Sequence, residues 1–384
     1  MGMALTRLPL VAFNAQLASG TASYRSAGIS AYIVNLLRSL SRQAVEWRSI
    51  VFWGAEQFPA DVPLPFRRSS LPTYHPLVRI FWEQVLLPLA LQRLHAALLH
   101  APAFVGPLAS PCPQVITIHD LSFLRYPQFF RRSNRLYLRW MTGIACRRAA
   151  GVIAVSQFTA REVTDLLGVP SERVHTIYHG VESRFQPLSF EEVARFRQEQ
   201  GLPERFILHL GTLEPRKNLL TLVRAFARLH DSEVHLVLAG GKGWFYEDIF
   251  AEVERLGLQD RVHFPGYVSA ESQVLWYNAA TAFAYLSHYE GFGLPVLEAL
   301  ACGIPTVTGD ATSLPEVAGD GALTVDAENV AAVAEGLHRL LTDTALREML
   351  RERGLRHAGR FTWEETARQT SALYTSLLEK PRTG

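Results

Sequence analysis

The sequence predicts an α/β protein with parallel sheets in two domains. Three observations support this fold class: short apolar runs alternate with helical patterns, the alternation restarts near the middle, and the chain has 384 residues. Parallel strands that are covered by helices produce such alternation. A chain of this length exceeds one ordinary hydrophobic core, so we expect two domains.

The composition is that of an ordinary globular protein. Hydrophobic residues make up 48% and charged residues 19%, and a net charge of +2 does not indicate a nucleic-acid partner. The cysteines Cys112, Cys146 and Cys302 lack metal-ligand or CxxC spacing, which favours a reducing cytoplasm without disulfides. No run reaches the roughly eighteen apolar residues that a membrane span requires.

The first half contains six predicted strands and four predicted helices. The strands are predicted at Leu8–Phe13, Ser49–Trp53, Ala97–His100, Gln114–Ile118, Gly151–Ala154 and Val174–Ile177. The helices are predicted at Ile29–Arg42, Leu77–His95, Arg132–Arg148 and Ala160–Leu167. Pro88 lies inside the second helix, so we expect a kink or split there because proline removes a backbone hydrogen bond.

The segment from His179 to Glu192 breaks this pattern, and we place the domain boundary there. The predicted domains are therefore 1–184 and 185–361, followed by an amphipathic C-terminal helix within 362–384. Six more strands are predicted at Phe206–Leu210, Val234–Ala239, Val262–Phe264, Ala282–Leu286, Pro305–Thr308 and Ala322–Val325. Ligands of open parallel sheets bind at the carboxyl ends of the strands, so the loops there are the candidate sites.

One such loop contains two glutamates in the sequence EGFGLPVLE. Gly291 and Gly293 leave backbone N–H groups open, and Pro295 suits the first turn of a helix. We therefore expect Glu290 in the loop and Glu298 in the first helical turn, where the two carboxylates can hold two hydroxyl groups of one ligand. On spacing alone, two glutamates of a solvated helix are the alternative.

A second loop follows the predicted strand Phe206–Leu210 and carries Glu214, Arg216 and Lys217. Asn218 is the expected cap of the next helix. Two adjacent cations beside a helix N-terminus can bind phosphate. A solvated cationic loop is the alternative, but the position between a strand and a helix favours the phosphate clamp.

Two loops in the first half are also candidates. His119 and Asp120 follow a strongly β-type run, and a turn that is satisfied internally is the alternative to a catalytic pair. Gly28 precedes a helix and allows a ligand to approach the backbone. This segment lacks GxGxxG, so it does not indicate a dinucleotide site.

Two absent motifs limit the chemistry. The run from Gly240 to Gly243 cannot be read as GxxxxGK[ST], so we interpret it as a tight turn near the site. The chain also contains no Asp-X-Asp, the usual carboxylate handle for a metal bound to substrate phosphates. We therefore expect no metal, with Arg216, Lys217 and the helix N-terminus after Gly293 neutralising a leaving diphosphate.

Seven segments together resemble the motifs of the retaining glycosyltransferases of family 4, in that family's order. They are AGIS, VITIHDLSFLRYP, GVIAVSQFTAREV, VHTIYHGVESRF, LGTLEPRKNLLTLVRAF, VHFPGYVS and HYEGFGLPVLEALACGIPTV. The similarity is closest to the mannosyltransferase-B-like branch, which builds bacterial O-antigen and other surface polysaccharides. Where the family often has two glycines, this chain has Ala27 and Gly28.

The resemblance implies a GT-B fold, with two Rossmann-like domains that face a central cleft and a C-terminal helix that crosses back onto the first domain. It implies a nucleotide-sugar donor held mainly by the second domain, with GDP-mannose as the best guess. It also implies metal-independent transfer of a hexose with retention of anomeric configuration. The acceptor would be a glycan or a lipid-linked saccharide.

The resemblance also assigns roles to individual residues. Glu298 would bind the donor ribose and Glu290 the sugar hydroxyls, while Arg216 and Lys217 hold the diphosphate. His119 would reach the sugar from the first domain. The other candidate donor-binding residues are Gly28 near the diphosphate, Asp120, Glu214, Tyr267 and Val268 near the base, and the backbone of Gly291, Phe292, Gly293 and Leu294.

Two readings from other classes stay open. A sugar-nucleotide epimerase or hydrolase would share the fold, and it would consume donor without an acceptor. A catalytically silent GT-B protein would act as a partner subunit and bind nucleotide weakly or not at all. The joint presence of Glu290, Glu298, Arg216 and Lys217 argues against the silent protein.

One predicted helix combines basic and apolar sides. The basic side carries Arg131, Arg132, Arg135 and Arg139, and the apolar side carries Leu136, Tyr137, Trp140 and Ile144. One interpretation is a cytoplasmic enzyme with peripheral contact to anionic membrane lipid, where a lipid-linked acceptor would lie. The other is a helix that packs on its own sheet and solvates its arginines.

Overall fold

The computed structural model describes residues 8–18, 27–54, 57–129 and 132–380. The chain forms two compact units. Unit 1 contains Met1–Gly180 and Trp363–Gly384, and unit 2 contains Val181–Thr362. The boundary predicted after residue 184 lies a few residues into unit 2, and the predicted C-terminal helix belongs to unit 1.

Each unit is built on one parallel sheet. The seven strands of unit 1 are β1 Leu10–Ala15, β2 Arg48–Trp53, β3 Phe66–Arg68, β4 Leu98–Ala101, β5 Gln114–Ile118, β6 Gly151–Ala154 and β7 Val174–Thr176. The six strands of unit 2 are β8 Arg205–Leu210, β9 Val234–Ala239, β10 Val262–Gly266, β11 Ala282–Tyr285, β12 Thr306–Gly309 and β13 Leu323–Val325. The predicted fold class, two parallel-sheet α/β domains, is confirmed.

The helices connect the strands. Those of unit 1 are α1 Ala27–Leu40, α2 Pro76–Phe81, α3 Leu87–Arg93, α4 Ser122–Arg125, α5 Arg132–Arg148 and α6 Gln157–Leu167. Those of unit 2 are α7 Phe190–Gln200, α8 Leu219–Phe226, α9 Glu247–Arg255, α10 Gln273–Ala279, α11 Leu294–Ala301, α12 Leu314–Ala318, α13 Val330–Thr342 and α14 Thr344–Ala358. The last helix, α15 Trp363–Leu378, belongs to unit 1.

All twelve predicted strands are present, with ends that shift by up to a few residues. The strand β3 was not predicted, because its three residues FRR are all exposed and show no apolar alternation. The split at Pro88 is confirmed: α2 passes into a π-helical turn at Trp82–Leu86, and α3 starts immediately before the proline. A π turn beside proline is a recognised way to bend a helix.

The cores explain how the sheets are held. In unit 1, Phe13 of β1 and Tyr32 of α1 share a core with Trp363 and Tyr374 of α15, so the end of the chain is part of this unit's packing. In unit 2, apolar residues of β8, β9 and β11 pack against α8 and α13. Buried aromatic side chains of this size dominate core energetics.

The order of the strands defines one special position in each sheet. The order is β3-β2-β1-β4-β5-β6-β7 in unit 1 and β10-β9-β8-β11-β12-β13 in unit 2. The direction of winding therefore reverses between β1 and β4 in unit 1 and between β8 and β11 in unit 2. Open parallel sheets bind ligands at the carboxyl ends of strands at such a switch point.

Candidate active site

The loops after β8 and β11 meet at the switch point of unit 2. The Lys217 Nζ lies 2.6 Å from Oε1 of Glu290 and donates a hydrogen bond of 2.7 Å to the hydroxyl of Tyr285. That hydroxyl in turn donates to the same Glu290 oxygen over 3.0 Å. The structure thus brings together the predicted cation and the predicted carboxylate, on loops that are 73 residues apart.

Arg216 joins the same group. Its guanidinium pairs with Glu214 over 2.8 Å and lies 3.2 Å from Glu290 Oε1. It also donates to the backbone carbonyl of Tyr289 over 2.7 Å, while the backbone N–H of His288 donates to the carbonyl of Arg216. The two cations and the two carboxylates balance in charge, and their hydrogen bonds tie the two loops together.

The pKa values follow from this arrangement. Burial alone would raise the pKa of Glu290, but the charges of Arg216 and Lys217 outweigh it and lower that pKa to about 2. Burial and the neighbouring Arg216 lower the pKa of Lys217, although Glu290 opposes them. Burial and the Glu290 charge keep the pKa of the Tyr285 hydroxyl well above its usual value. At neutral pH, Glu290 is therefore ionised.

The run from Gly240 to Gly243 supports the cationic loop. A Cβ atom at Gly240 would lie 1.8 Å from the carbonyl oxygen of Gly211, so only glycine fits there. The backbone N–H of Leu213 donates to Gly241, and that of Gly243 donates to Leu213, each over 2.9 Å. This run is the tight turn near the site that the sequence indicated.

The loop between β12 and α12 holds the acidic loop in place. The Ser313 hydroxyl donates to the carbonyls of Glu290 and Phe292, over 2.9 and 2.7 Å. The Glu290 backbone N–H donates to the hydroxyl of Thr312, a residue with a left-handed φ of 61°. Gly293 is the N-cap of α11 with φ 105°, a conformation that favours glycine. Gly291 is buried in this loop, and Leu294 is the first residue of α11.

Glu298 lies one turn deeper in α11 than predicted. The helix begins at Leu294, so Glu298 is in its second turn and not in the first. Its carboxylate accepts a 2.8 Å hydrogen bond from the hydroxyl of Tyr277. Burial raises the pKa of Glu298 to about 7, against the effects of Tyr277 and the charge of Arg184. The two predicted glutamates are therefore in opposite electrostatic situations.

Asn218 precedes α8 as predicted, but its side chain does not make the predicted capping hydrogen bond. Asn218 occupies the N-cap position, but with φ 54° its side chain makes no capping hydrogen bond and donates instead to the carbonyl of Ala327 over 2.8 Å. Tyr267 and Val268 follow β10 at the same edge of the sheet, and the Tyr267 side chain is exposed whereas Val268 is buried.

The remaining predicted residues belong to unit 1. The His119 Nε2 donates to the carbonyl of Pro102 over 2.8 Å, which leaves Nδ1 as the acceptor nitrogen, and the ring lies edge-on to Tyr32 at 4.7 Å. Burial lowers the pKa of His119, so the ring is neutral. One oxygen of Asp120 accepts from the N–H and hydroxyl of Ser122, as in a satisfied turn. Gly28 is exposed, and a Cβ there would meet nothing within 4 Å.

The switch point of unit 1 contains buried polar groups that sequence reasoning missed. Asn14 on β1 donates to Glu83 over 3.1 Å, and burial raises the pKa of Glu83 to about 7. Within the described residues, the Gln16 amide, the Thr73 hydroxyl and Asn14 Oδ1 have no hydrogen-bond partner. A Cβ at Gly54 would meet Gln16 and Thr73 at 2.7 and 2.8 Å, so these groups lie close together. Buried polar groups of this kind are costly to leave unpaired.

Other contributors in unit 2 were missed too. They are Tyr277, Tyr285, Thr312 and Ser313, which support the two glutamates. Tyr285 is the last residue of β11, and Thr312 and Ser313 follow β12, so their place at strand ends is the signal that could have found them. In the described part of the chain, no three His, Cys, Asp or Glu side chains form a metal-binding group. None of the described helices has the length and apolar composition of a bilayer span.

Comparison with known families matches both units. The family described as "Glycosyltransferase Family 4" matches residues 26–185, and "Glycosyl transferases group 1" matches residues 191–357. The O-antigen chain mannosyltransferase B of Escherichia coli is 31% identical over 267 residues, which cover 68% of this chain and 70% of that protein. The serotype-specific mannosyltransferase WbdA of Escherichia coli is 30% identical over 70% of this chain, but this match spans only 34% of WbdA.

Solved structures share the fold. Anabaena Alr3699/HepE in complex with UDP and glucose has a TM-score of 0.74 and 21% identity, over 95% of this chain and 99% of that one. WaaG, a glycosyltransferase involved in lipopolysaccharide biosynthesis, has a TM-score of 0.73 and 16% identity, over 95% and 99%. These likenesses confirm the GT-B fold class that the sequence motifs indicated.

Proposed function

The chain belongs to glycosyltransferase family 4, and from that premise we propose that this hexosyltransferase moves mannose from a nucleotide-sugar to a glycan or lipid-linked acceptor. It is a glycosyltransferase of the polysaccharide and lipopolysaccharide type. The mannosyltransferase relatives and the UDP complex of a structural neighbour support the donor class. GDP-mannose is the specific donor we propose.

The observation that carries this proposal is the joined group of Lys217, Arg216 and Glu290 at the switch point of unit 2. In the proposed complex, the diphosphate oxygens take over part of the hydrogen bonding of the two cations. Glu290, released from part of its pairing, accepts hydrogen bonds from the sugar hydroxyls, and Glu298 accepts from the ribose. The backbone of Gly291, Phe292, Gly293 and Leu294 lines the sugar and phosphate.

The proposed reaction retains the anomeric configuration and uses no metal. As the bond from the sugar C1 to the phosphate oxygen breaks, Arg216 and Lys217 stabilise the negative charge that grows on the leaving diphosphate. Fixed cations do this without reorganisation, which is the main advantage of a preorganised site. The acceptor hydroxyl attacks C1 from the same face, and its proton passes to the departing phosphate.

A donor screen followed by product analysis tests the proposal. Thermal unfolding with a panel of nucleotide-sugars should show the largest stabilisation with GDP-mannose, because a ligand of the folded state raises its stability by mass action. Product NMR should then show the donor's anomeric configuration, and a chelator should leave the rate unchanged. If only another nucleotide-sugar stabilises the protein, that nucleotide-sugar would replace GDP-mannose as the proposed donor. A product with inverted anomeric configuration would overturn the proposed mechanism.

The two other classes have their own outcomes. An epimerase or hydrolase would consume donor at the same rate with and without acceptor, whereas a transferase needs the acceptor. A silent partner subunit would show no donor stabilisation. We also propose that the enzyme acts in the cytoplasm, with peripheral contact to the inner face of the membrane where a lipid-linked acceptor would lie.

A further inference from the structure

Large apolar side chains that face solvent are concentrated in one part of unit 1. Of the fourteen exposed large hydrophobic residues in the described chain, six lie on the helical segment Pro76–Arg93 or on α5. We call these six the exposed apolar face: Leu77, Phe81, Val85, Leu89, Leu136 and Trp140. Single exposed hydrophobic residues are ordinary, but a contiguous group marks an interaction surface.

The first four members repeat every fourth residue. In a regular α-helix such a spacing drifts around the axis, because the helix has 3.6 residues per turn. The π turn at Trp82–Leu86 has wider i to i+5 bonding and counteracts this drift. Leu77 is 80% exposed, and Phe81, Val85 and Leu89 are each more than two-fifths exposed, so the row faces solvent along its whole length.

The two helical segments of the face are neighbours. Gln84 of the π turn accepts a 3.0 Å hydrogen bond from the backbone N–H of Leu108, and Arg148 of α5 donates to the carbonyl of Leu108 over 3.3 Å. Burial raises the pKa of Tyr137 on α5 to about 12, and the charges of Glu83 and Arg79 also affect that pKa. Leu136 and Trp140 flank Arg139 on α5, and Trp140 is 65% exposed. Leu136 and Trp140 therefore face solvent, whereas α5 packs on the core of unit 1 through Ala145 and Cys146.

The charge around this face has one sign. The two segments that carry the face, residues 76–93 and 132–148, contain seven arginines, no lysine and one acid, Glu83. Glu83 is buried, so its carboxyl group is not presented at the surface beside the exposed arginines. Arg93 and Arg139 are exposed within the face. Arg131 and the Arg132 side chain lie outside the described residues.

We infer that the exposed apolar face is a docking surface for an anionic lipid membrane. Its apolar side chains enter the boundary between headgroups and acyl chains, and its arginines pair with lipid phosphates. Basic helices with exposed Trp, Phe and Leu bind membranes in this way, and each arginine near an anionic surface contributes. A protein partner would need acidic residues that match these arginines, and no feature of the face is specific for such a protein. This inference rests on the proposed peripheral location but not on the donor.

Vesicle flotation of the full chain tests the inference. The unchanged protein should float with vesicles that contain phosphatidylglycerol, and it should float much less with pure phosphatidylcholine or at high salt. Leu77→Ser with Phe81→Ser should weaken binding at least tenfold. Arg93→Gln with Arg139→Gln should also weaken it at least tenfold, and should remove most of the salt dependence.

Matched controls come from unit 2. Phe190 and Phe245 are 82% and 60% exposed, so Phe190→Ser with Phe245→Ser removes similar apolar surface elsewhere. Arg195 and Arg228 are exposed, and Arg195→Gln with Arg228→Gln removes equal charge. Both controls should bind vesicles normally, and all variants should keep their unfolding midpoint.

Three results would overturn the inference: equal binding to neutral vesicles, equal losses in the controls, or concentration-dependent dimers in sedimentation that the Leu77 and Phe81 changes abolish. Donor stabilisation, measured on the same variants, should not change. A protein that loses membrane binding but keeps its donor response leaves the proposed function intact.

Discussion

The two switch points have the same topology and opposite chemistry. In unit 2, two cations and two carboxylates pair between the loops after β8 and β11. In unit 1, the carboxyl ends of β1 and β2 present buried amide and hydroxyl groups beside Glu83. The fold sets the edge of each sheet at which a ligand can bind, and the side chains at the strand ends give the two edges different charges. Unit 2 presents paired charges at this edge, and unit 1 presents neutral amide and hydroxyl groups.

The pKa values of Glu290 and Glu83 differ in the same way as the two sites. Glu290 is held at a pKa of about 2, because Arg216 and Lys217 outweigh the effect of burial. Burial moves the pKa of Glu83 the other way, to about 7, against weaker effects of Arg79 and Asn14. A buried carboxylate stays ionised only where paired cations compensate for its lost hydration.

The largest expected effect is on turnover. Lys217→Met and Arg216→Ala should each lower the rate of sugar transfer by about two orders of magnitude or more, because each removes a fixed charge that stabilises the leaving diphosphate. Steady-state kinetics with the cognate donor measures this. Lys242→Met is the matched control, because the Lys242 side chain packs over Tyr246 in the neighbouring loop. This variant should transfer sugar at nearly the normal rate. Near-normal rates in both site variants would remove the phosphate clamp.

Replacement of Glu290 and of Glu83 by glutamine should change the stability of the protein by different amounts. Glu290→Gln should destabilise the protein by about 3 kcal/mol at neutral pH, because it leaves buried Lys217 and Arg216 without their shared carboxylate. Glu83→Gln should cost little, because the glutamine resembles the protonated side chain. Chemical denaturation of both variants measures the difference.

The pH dependence of Glu83 sharpens this test. Its folded pKa lies above the unfolded value, so the folded state binds the extra proton. That contribution to stability is complete below about pH 4.5 and is lost as pH rises through about 7. The unchanged protein should therefore lose stability relative to Glu83→Gln between these values. A difference that stays constant with pH would contradict the shift.

Glu298 should make nucleotide binding depend on pH. In the proposed complex the ionised carboxylate of Glu298 accepts hydrogen bonds from the ribose, and burial raises the pKa of this group to about 7 in the free protein. The affinity for the donor's nucleoside diphosphate should therefore rise by up to about tenfold from pH 6 to pH 8. Titration calorimetry measures it, and Glu298→Gln should flatten the dependence. An equal slope in that variant would assign the titration to another group.

The smallest expected effect is on the stability of unit 1. The Tyr374 hydroxyl of α15 lies 2.5 Å from Nδ1 of buried His100, and the other ring nitrogen lies 2.8 Å from the hydroxyl of Thr117. Tyr374→Phe should cost about 1 to 2 kcal/mol, because it leaves a buried nitrogen unpaired. Tyr74→Phe, at a side chain that is 77% exposed, should change stability by only a few tenths of a kcal/mol. Equal unfolding free energies would show that the bond contributes nothing.

The sequence was sufficient for the fold class and for the charged loops. Apolar runs and polar strand ends reveal β8, β11, Arg216, Lys217 and Glu290, because parallel sheets place such loops at one edge. It was not sufficient where a backbone conformation redirects a side chain. Asn218 adopts a left-handed φ and bonds to Ala327, which no local pattern predicts.

Contacts over long sequence distances were equally hidden. No local pattern distinguishes Tyr285 and Tyr277 from other buried aromatic residues, yet each hydroxyl donates to a site glutamate. Gln16 and Thr73 are far apart in the chain, and only the sheet brings them together beside Gly54. The sequence predicted only part of the exposed apolar face. The pattern of α5 indicated an amphipathic helix, but it did not indicate that Leu136 and Trp140 face solvent near the apolar row on residues 76–93.

In the proposed complex, Arg216 and Lys217 receive the diphosphate of the donor. A crystal structure of the full chain with the nucleoside diphosphate of the cognate donor tests it most directly. We expect phosphate oxygens within hydrogen-bonding distance of the Arg216 guanidinium and of Lys217 Nζ. We also expect the ribose hydroxyls to donate hydrogen bonds to the Glu298 carboxylate. A nucleotide bound with its phosphates away from both cations, and with the bond between Lys217 and Glu290 unchanged, would contradict it.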